Sequence, residues 1–489
     1  MSEAQKSLIS ISPKAPVAIV VAAVLLGLAF DYLFFDKPVG ISFPIMCLLV
    51  TVGLFAILQL AGRKPTWPEY WFLIPFLFFA AMVAVRASPA LAFFNVLASY
   101  AFLTLLVRAA SGQSFHPRSI FGYFIEILGT ILYFGESTKA VSETIAQLRV
   151  GDSKKRSVQM LLAVIVALPF LAIFLVLFSS ADLVFKSSIS GLADAFGGKF
   201  WAQVFLVVVV ALFSAGALTV ATLQKGAKAA PATSEGQEKQ DLTFVVTFLS
   251  LINALFLFFI VIQVRYLFAG SKGLQGFGFT YADYVHKGFF ELVAVALLSF
   301  LLLYGAEALV VRTGGKHAAA FKWSAGLHIA LVVVIILSAF RRLSLYEQAY
   351  GFTELRLYVH AFVIWLAVVF GLLMLKVAMN TEARRFSFQV LMSALLGFAL
   401  LNLLNPDAFV ARKNLARLET TGKIDIGYLA ALSPDALPVI VSGLGAKDQA
   451  MLTEYLSKYR NNHPLTKTSA PWQSFNFAAS KAEAVMSVK

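Results

Sequence analysis

The feature that most constrains this chain is a succession of apolar runs, each about 20 residues long. A helix of about 20 mostly apolar residues crosses the hydrocarbon core of a bilayer. Short polar connectors separate the runs, as expected when each helix satisfies its own backbone polar groups. The sequence therefore predicts an all-α fold, a polytopic membrane bundle of about 11 transmembrane helices. The predicted spans are 16–35, 41–61, 69–86, 89–107, 157–179, 200–223, 243–268, 288–311, 323–340, 357–378 and 386–404.

The composition supports a membrane location. Of the 489 residues, 59% are hydrophobic and only 13% are charged, whereas a soluble domain is about half apolar and about a quarter charged. The formal net charge is +14. The basic residues are spread between the apolar runs, which favours contact with membrane lipids and argues against nucleic-acid binding.

The familiar catalytic and metal-binding patterns are missing from the sequence. It contains no phosphate-binding loop, no Cys or His pair at metal-ligand spacing, no Gly-x-Ser-x-Gly and no His-Glu-x-x-His. The single cysteine, Cys47, excludes an internal disulfide. We therefore expect no cofactor and no metal ion, and the residues favour a protein that is not an enzyme.

The distribution of Lys and Arg between the loops predicts the orientation. With the N-terminus in the cytoplasm, the inner loops carry about twice as many Lys and Arg residues as the outer loops. An odd number of spans then places the C-terminus outside. We interpret residues 120–149 as an interfacial, partly amphipathic segment. If its apolar part, 120–134, crossed the membrane instead, the C-terminus would be cytoplasmic.

The same pattern divides the chain into a first membrane half (1–223), a polar cytoplasmic linker (224–241), a second membrane half (242–404) and a C-terminal helical tail (405–489). Three helices are predicted in the tail. Asn405 with Pro406 opens the first, residues 433–435 open the second, and residues 447–459 form the third. The last 25 or so residues carry no such signal and are expected to be loose.

Residues 341–356, RRLSLYEQAYGFTELR, carry three arginines on the side where the positive-inside bias disfavours them. Ser344 and Glu347 have the spacing of a capping box, Gly351 can end that short helix, and Thr353 can cap the next one. Arginines interleaved with tyrosines can bind a phosphate or carboxylate through paired donors. The structural alternative is an interfacial belt in which the arginines pair with nearby glutamates.

Four motifs resemble an uncharacterised family of bacterial multi-pass membrane proteins: YGFTELR (350–356), NPDAFVARKNLAR (405–417), DIGYLAALSPDALP (425–438) and DYLFFDKPVG (31–40). The resemblance covers most of the chain. It implies a bacterial cytoplasmic membrane protein and brings no known activity, so no catalytic residue is carried over. It also suggests that the loop before the tenth span and the early tail belong together.

That association predicts a candidate binding site on the outer side. An anionic ligand, such as a lipid headgroup or a lipid-linked phosphate, would suit a pocket rich in arginine. The alternative, which we favour, is that the tail helices simply dock on the loop and the charges pair with neighbouring carboxylates. The candidate residues are Arg341, Arg342, Tyr346, Tyr350, Arg356, Asn405, Asp407, Arg412, Asn414 and Arg417.

A second candidate site lies within the spans. Glu307 and His328 are ionisable residues near the inner ends of adjacent predicted helices. Charged groups inside a bilayer are costly and are candidates for function. The two side chains form a possible proton relay, and a structural hydrogen bond is the alternative that we favour.

Three functions fit these features. The first is transport or handling of an anionic, lipidic ligand of the cell envelope, supported by the number of spans and the outer arginines. The second is an envelope transferase acting on a lipid-linked substrate, for which Asp31 and Asp36 near the first outer loop are candidate carboxylates. The third is a non-catalytic scaffold or sensor component that contacts a partner through residues 120–149.

Overall fold

The fold is known from a computed structural model that describes residues 15–62, 67–110, 198–222, 242–267, 289–309, 316–446, 448–463 and 471–487. Helices joined by short turns account for these residues, and no β-strand occurs among them. The all-α prediction is confirmed. The predicted span at 157–179, the segment 120–149 and the linker 224–241 lie outside the described residues.

The membrane helices follow the apolar runs closely. Each predicted span that falls in the described residues corresponds to a helix, and residues 86–88 form the tight turn expected between the third and fourth. The helices are α1 (Ala15–Phe34), α2 (Ser42–Leu60), α3 (Trp67–Val85), α4 (Pro89–Ala110), α5 (Gly198–Thr222), α6 (Leu242–Leu267), α7 (Phe289–Leu309), α8 (Lys316–Tyr350), α9 (Glu354–Met379) and α10 (Ala383–Leu404).

Within the described ranges, 7 helices are long and apolar enough to cross a membrane, namely α1, α2, α4, α5, α8, α9 and α10. Shorter apolar segments lie in α3, α6 and α7. The chain is therefore an all-α, multi-pass membrane protein.

The C-terminal region is also helical. Its helices are α11 (Pro406–Thr421), α12 (Ile426–Ala431), α13 (Leu437–Gly445), α14 (Gln449–Asn462) and α15 (Phe477–Ser487). The chain forms two compact units. The described part of unit 1 comprises α1–α5 and residues 471–487, and that of unit 2 comprises α6–α14.

Local capping residues explain where the C-terminal helices begin. The side chain of Asn405 accepts a hydrogen bond from Ala408 N at 3.3 Å, which confirms the predicted start of α11. Asp425 caps α12, a helix that the sequence reading missed, and Asp448 caps α14. The helix predicted to open at 433–435 is present as α13, but it begins later, at Leu437, because a turn at 434–436 precedes it.

The expectation that the chain end is loose is also wrong. In unit 1, Ile41 N donates to Phe475 O at 2.8 Å, beside the turn between α1 and α2. The Asn476 amide donates to Arg86 O at 2.9 Å, just beyond the end of α3, and its oxygen accepts from Ala478 N at the start of α15. Asn476 therefore binds both the end of α3 and the start of α15, and the first of these contacts joins residues 390 positions apart.

Helix α8 is the centre of unit 2, and α6, α7 and α9 pack against it. The predicted capping box is wrong. Ser344 lies inside the 35-residue helix and its hydroxyl donates to Phe340 O at 3.0 Å. Extending an existing helix costs less than nucleating a new one, so the local start signal has no effect there. Gly351 does end α8, with φ +91°, and Thr353 does cap α9.

Candidate functional site

Several of the predicted site residues meet around the three-residue loop between α8 and α9, namely Tyr346, Arg356, Asn414 and Arg417. The amide of Gly351 closes the end of α8 by donating to Glu347 O at 2.8 Å. Its positive φ favours glycine. A β-carbon there would also lie 3.1 Å from Asn414 Oδ1. The loop therefore needs a residue without a side chain where α11 approaches.

Asn414 of α11 holds the loop through its main chain. Its side-chain oxygen accepts from Phe352 N at 3.1 Å, and its amide donates to Phe352 O at 2.8 Å. Tyr428 of α12 adds a third bond, because its hydroxyl oxygen accepts from Glu354 N at 2.8 Å. The favoured expectation that the tail docks on the loop is confirmed by these contacts.

Two of the candidate arginines are engaged with the end of α8. Arg417 donates to Gln348 O at 3.3 Å and to Ala349 O at 2.8 Å. Arg356 donates to Gly351 O, and its guanidinium lies 4.3 Å from the centre of the Tyr346 ring. Cations near helix C-terminal carbonyls are stabilising. These arginines therefore bind main-chain oxygens, whereas the docking hypothesis expected carboxylates.

The remaining candidates of this region differ in exposure. Arg341, Arg412 and Tyr350 are exposed, whereas Arg342 is buried. Tyr350 stacks on Tyr346 with ring centres 4.8 Å apart. The side chains that stay accessible to an anionic ligand are thus fewer than the sequence suggested.

A buried network that sequence reasoning missed lies beneath the loop. Glu347 and His360 approach to 3.3 Å, and the second ring nitrogen of His360 lies 3.2 Å from the Ser344 hydroxyl. All three lie on α8 and α9, which pack directly against each other. A sequence signal for it is the three-residue spacing of Ser344 and Glu347, which places both side chains on one face of a continuous helix.

The same junction buries the carboxyl group of Asp407. Asp407 is 0% exposed, and its Oδ1 accepts from Ser433 N at 3.4 Å. Asn405 donates to Asp435 Oδ1 at 3.3 Å nearby. Burial raises the pKa of the neighbouring Tyr428 to about 12, so this tyrosine stays a neutral hydroxyl.

The structure does not bring Glu307 and His328 together as a hydrogen-bonded pair. Glu307 of α7 pairs with Lys376 of α9. The His328 Nδ1 atom lies 2.8 Å from Asn253 Oδ1, and the Asn253 amide donates to Ser324 O at 2.9 Å. The orientation of the amide leaves its oxygen facing His328, so the histidine donates from Nδ1. Each member of the predicted relay is thus held by another helix.

A cavity of about 350 Å³ lies in unit 1, between α1, α2, α3, α4 and α5. Its lining is almost entirely apolar and carries no charged side chain, and Ser99, Tyr100 and Ser214 are its main polar members. This volume lies within the range of ligand sites, about 300–1,000 Å³. The sequence offered no signal for it, because the lining comes from five separate helices.

The described residues contain no group of three or more His, Cys, Asp or Glu side chains placed to hold a metal ion. The family model described as "Domain of unknown function (DUF4153)" matches residues 73–443. The chain belongs to this family. The match extends from α3 to α13 and so includes the whole junction between the loop and α11–α12. No curated protein and no solved structure matches the chain.

We expect Asn414→Ala to destabilise the junction. The change leaves the partly buried amide and carbonyl of Phe352 without their side-chain partner, which costs about 1–3 kcal/mol. Thermal unfolding in detergent and hydrogen exchange at residues 351–353 would measure it. Arg412→Ala, an exposed change in the same helix, is the matched control. Equal unfolding temperatures for the two variants would contradict the role assigned to Asn414.

Proposed function

We propose that this protein binds an anionic membrane lipid and handles it within the bacterial cytoplasmic membrane. The observation that carries the proposal is the apolar cavity of unit 1. A polar solute would lose its hydration there without gaining hydrogen bonds, at a cost of about 2–7 kcal/mol for each unpaired polar group. A hydrocarbon chain meets no such penalty. The N-terminus is proposed to lie in the cytoplasm and the C-terminus outside.

The headgroup is proposed to supply the selectivity. The acyl chain of a lipid gains little hydrophobic free energy when it moves from the bilayer into an apolar cavity, because the lipid tails around it in the bilayer are equally apolar. Charge must therefore distinguish the ligand from bulk lipid. The formal charge of +14 favours anionic headgroups.

The transferase alternative has less support. Of its two candidate carboxylates, Asp36 is paired with Lys199 at 2.8 Å in an exposed position. Lys199 lowers the pKa of Asp36 through this hydrogen bond and its charge. A general acid needs the opposite shift. The scaffold alternative rests on residues 120–149, outside the described part of the chain.

Native mass spectrometry of the protein with phosphatidylglycerol tests the proposal. Ala217 lines the cavity and Ala202 is an exposed residue of the same helix, α5. We expect Ala217→Trp to weaken lipid retention roughly tenfold or more by filling the cavity. Ala202→Trp should retain lipid as the unmodified protein does. Phosphatidylcholine should bind more weakly than phosphatidylglycerol.

Two outcomes would overturn the proposal. Equal retention by both tryptophan variants would show that the cavity does not hold the lipid chain. Equal retention of the two lipids would remove the anionic preference. Circular dichroism of both variants would establish that a loss of lipid is not a loss of fold.

A further inference from the structure

The exposed face of α1 is an apolar stripe that ends in a tyrosine. Val21, Leu25 and Leu28 are 53%, 60% and 52% exposed. They share this face with Tyr32, because each lies three or four positions from the next. Since α1 is long and apolar enough to cross a membrane, the stripe is a surface for lipid tails. Tyr32, which is 59% exposed, lies at the rim of the stripe near the end of α1.

Trp472 extends this rim from the far end of the chain. Its ring centre lies 6.5 Å from that of Tyr32, and its side chain is 52% exposed. The next residue, Gln473, is buried, and its amide donates to Tyr32 O at 3.5 Å. Lys37 donates to the same carbonyl oxygen, and its ammonium group lies 4.8 Å from the centre of the Tyr32 ring. An exposed tryptophan, an exposed tyrosine and a cation are therefore gathered at one end of a membrane helix.

The segment that carries Trp472 is fixed to the ends of three helices of unit 1. Besides its contact with α1, it accepts the hydrogen bond from Ile41 N, just before α2 begins. It also donates to Arg86 O, just after α3 ends. These three contacts lie at the same end of the helices. The fold therefore sets the position of Trp472 beside the lipid-facing stripe.

The bilayer interface is the occupant that this chemistry fits. Tryptophan and tyrosine are enriched at membrane–water interfaces, because each has an apolar ring and a polar group that reaches the headgroup layer. An ammonium group beside them can pair with lipid phosphates. The stripe of α1 continues without a break into the two rings, so the lipids that cover Leu25 and Leu28 also reach Tyr32 and Trp472.

We propose that Tyr32 and Trp472 form an aromatic anchor that fastens residues 471–487 to the lipid headgroup layer, on the side of the membrane that holds the turn between α1 and α2. The chain then crosses the membrane an even number of times between that turn and residue 471. Ten of the 11 predicted spans follow the turn, which satisfies this condition. The anchor depends neither on the cavity nor on the charge of the lipid proposed to bind there.

Spin labels on the full-length protein in phosphatidylcholine nanodiscs test the anchor. Cys47→Ala removes the single native cysteine, and Trp472→Cys or Glu483→Cys then supplies one labelling site. Glu483 is an exposed acid of α15, the helix that follows Trp472, and is the matched control. Oxygen concentrates in the bilayer, whereas a nickel chelate stays in water. The ratio of accessibility to oxygen over accessibility to the chelate should be several times higher at position 472 than at position 483.

The side of the membrane is tested separately with a membrane-impermeant maleimide on spheroplasts that contain the protein. Val39 lies in the turn between α1 and α2 and is 53% exposed. In the Cys47→Ala background, Val39→Cys and Glu483→Cys should react from the same side. Both should therefore be labelled in intact spheroplasts, or both only after lysis.

Three outcomes would overturn the proposal. Equal accessibility ratios at positions 472 and 483 would place Trp472 in water. Exclusion of both reagents from position 472 would show that protein covers it, either a second copy of the chain or a partner. Labelling of Val39→Cys and Glu483→Cys from opposite sides would contradict the even number of crossings. Hydrogen exchange at residues 471–487 would establish that each variant keeps the segment docked as the unmodified protein does.

Discussion

Lys376→Met is expected to destabilise the protein by about 3–5 kcal/mol, the cost of leaving a buried ion without its partner. The Lys376 and Glu307 side chains are only 4% and 14% exposed, and they pair directly between α9 and α7. The rings of Tyr304 and Phe386 lie 5.3 and 5.4 Å from the Lys376 nitrogen. Without the lysine, the Glu307 carboxylate would face apolar surroundings.

Thermal unfolding in detergent measures this loss, and a double variant isolates its cause. Glu307→Gln with Lys376→Met removes both charges and should recover most of the stability, because replacing a whole buried ion pair is often neutral. Glu307→Gln alone should also destabilise, since it strands the ammonium group. If the double variant were as unstable as Lys376→Met, the loss would come from packing and the ion pair would not be its source.

Gly40→Ala is expected to displace the C-terminal segment from unit 1. A β-carbon at Gly40 would lie 2.6 Å from Phe475 O, and the other nearest atoms are main-chain atoms of Ser474. Main chain cannot move aside as a flexible side chain can, so we expect about 3 kcal/mol, the upper end of overpacking costs. The hydrogen bond from Ile41 N to Phe475 O should be lost as well.

Hydrogen exchange at residues 471–487 measures this displacement, with protection falling roughly a hundredfold for a loss of about 3 kcal/mol. Gly53→Ala is the matched control in α2. Its β-carbon would meet only Leu26 Cδ1, at 3.7 Å, and alanine is a better helix former than glycine. Faster exchange in both variants would indicate a general loss of stability, whereas normal protection in Gly40→Ala would contradict the close packing.

Local signals predicted local structure well. The apolar runs predicted the membrane helices because an apolar length of about 20 residues is a property of one segment. Asn405 and Thr353 were recognised as caps because a cap bonds an amide two or three residues away. The prediction of a helix start at Ser344 failed because α8 extends through that position. The missed helix α12 is only 6 residues long and carries no periodicity to detect.

The sequence by itself determined the fold class and the positions of the apolar helices, and its family resemblance suggested that the loop and the early tail belong together. Only the tertiary structure decided which groups the buried polar side chains bind. Lys376 finds Glu307 across 69 positions, and Asn414 finds Phe352 across 62. A buried charge or amide requires some partner, and that requirement is visible in the residue type. Which group supplies it depends on how helices pack, and packing joins residues that no local pattern connects.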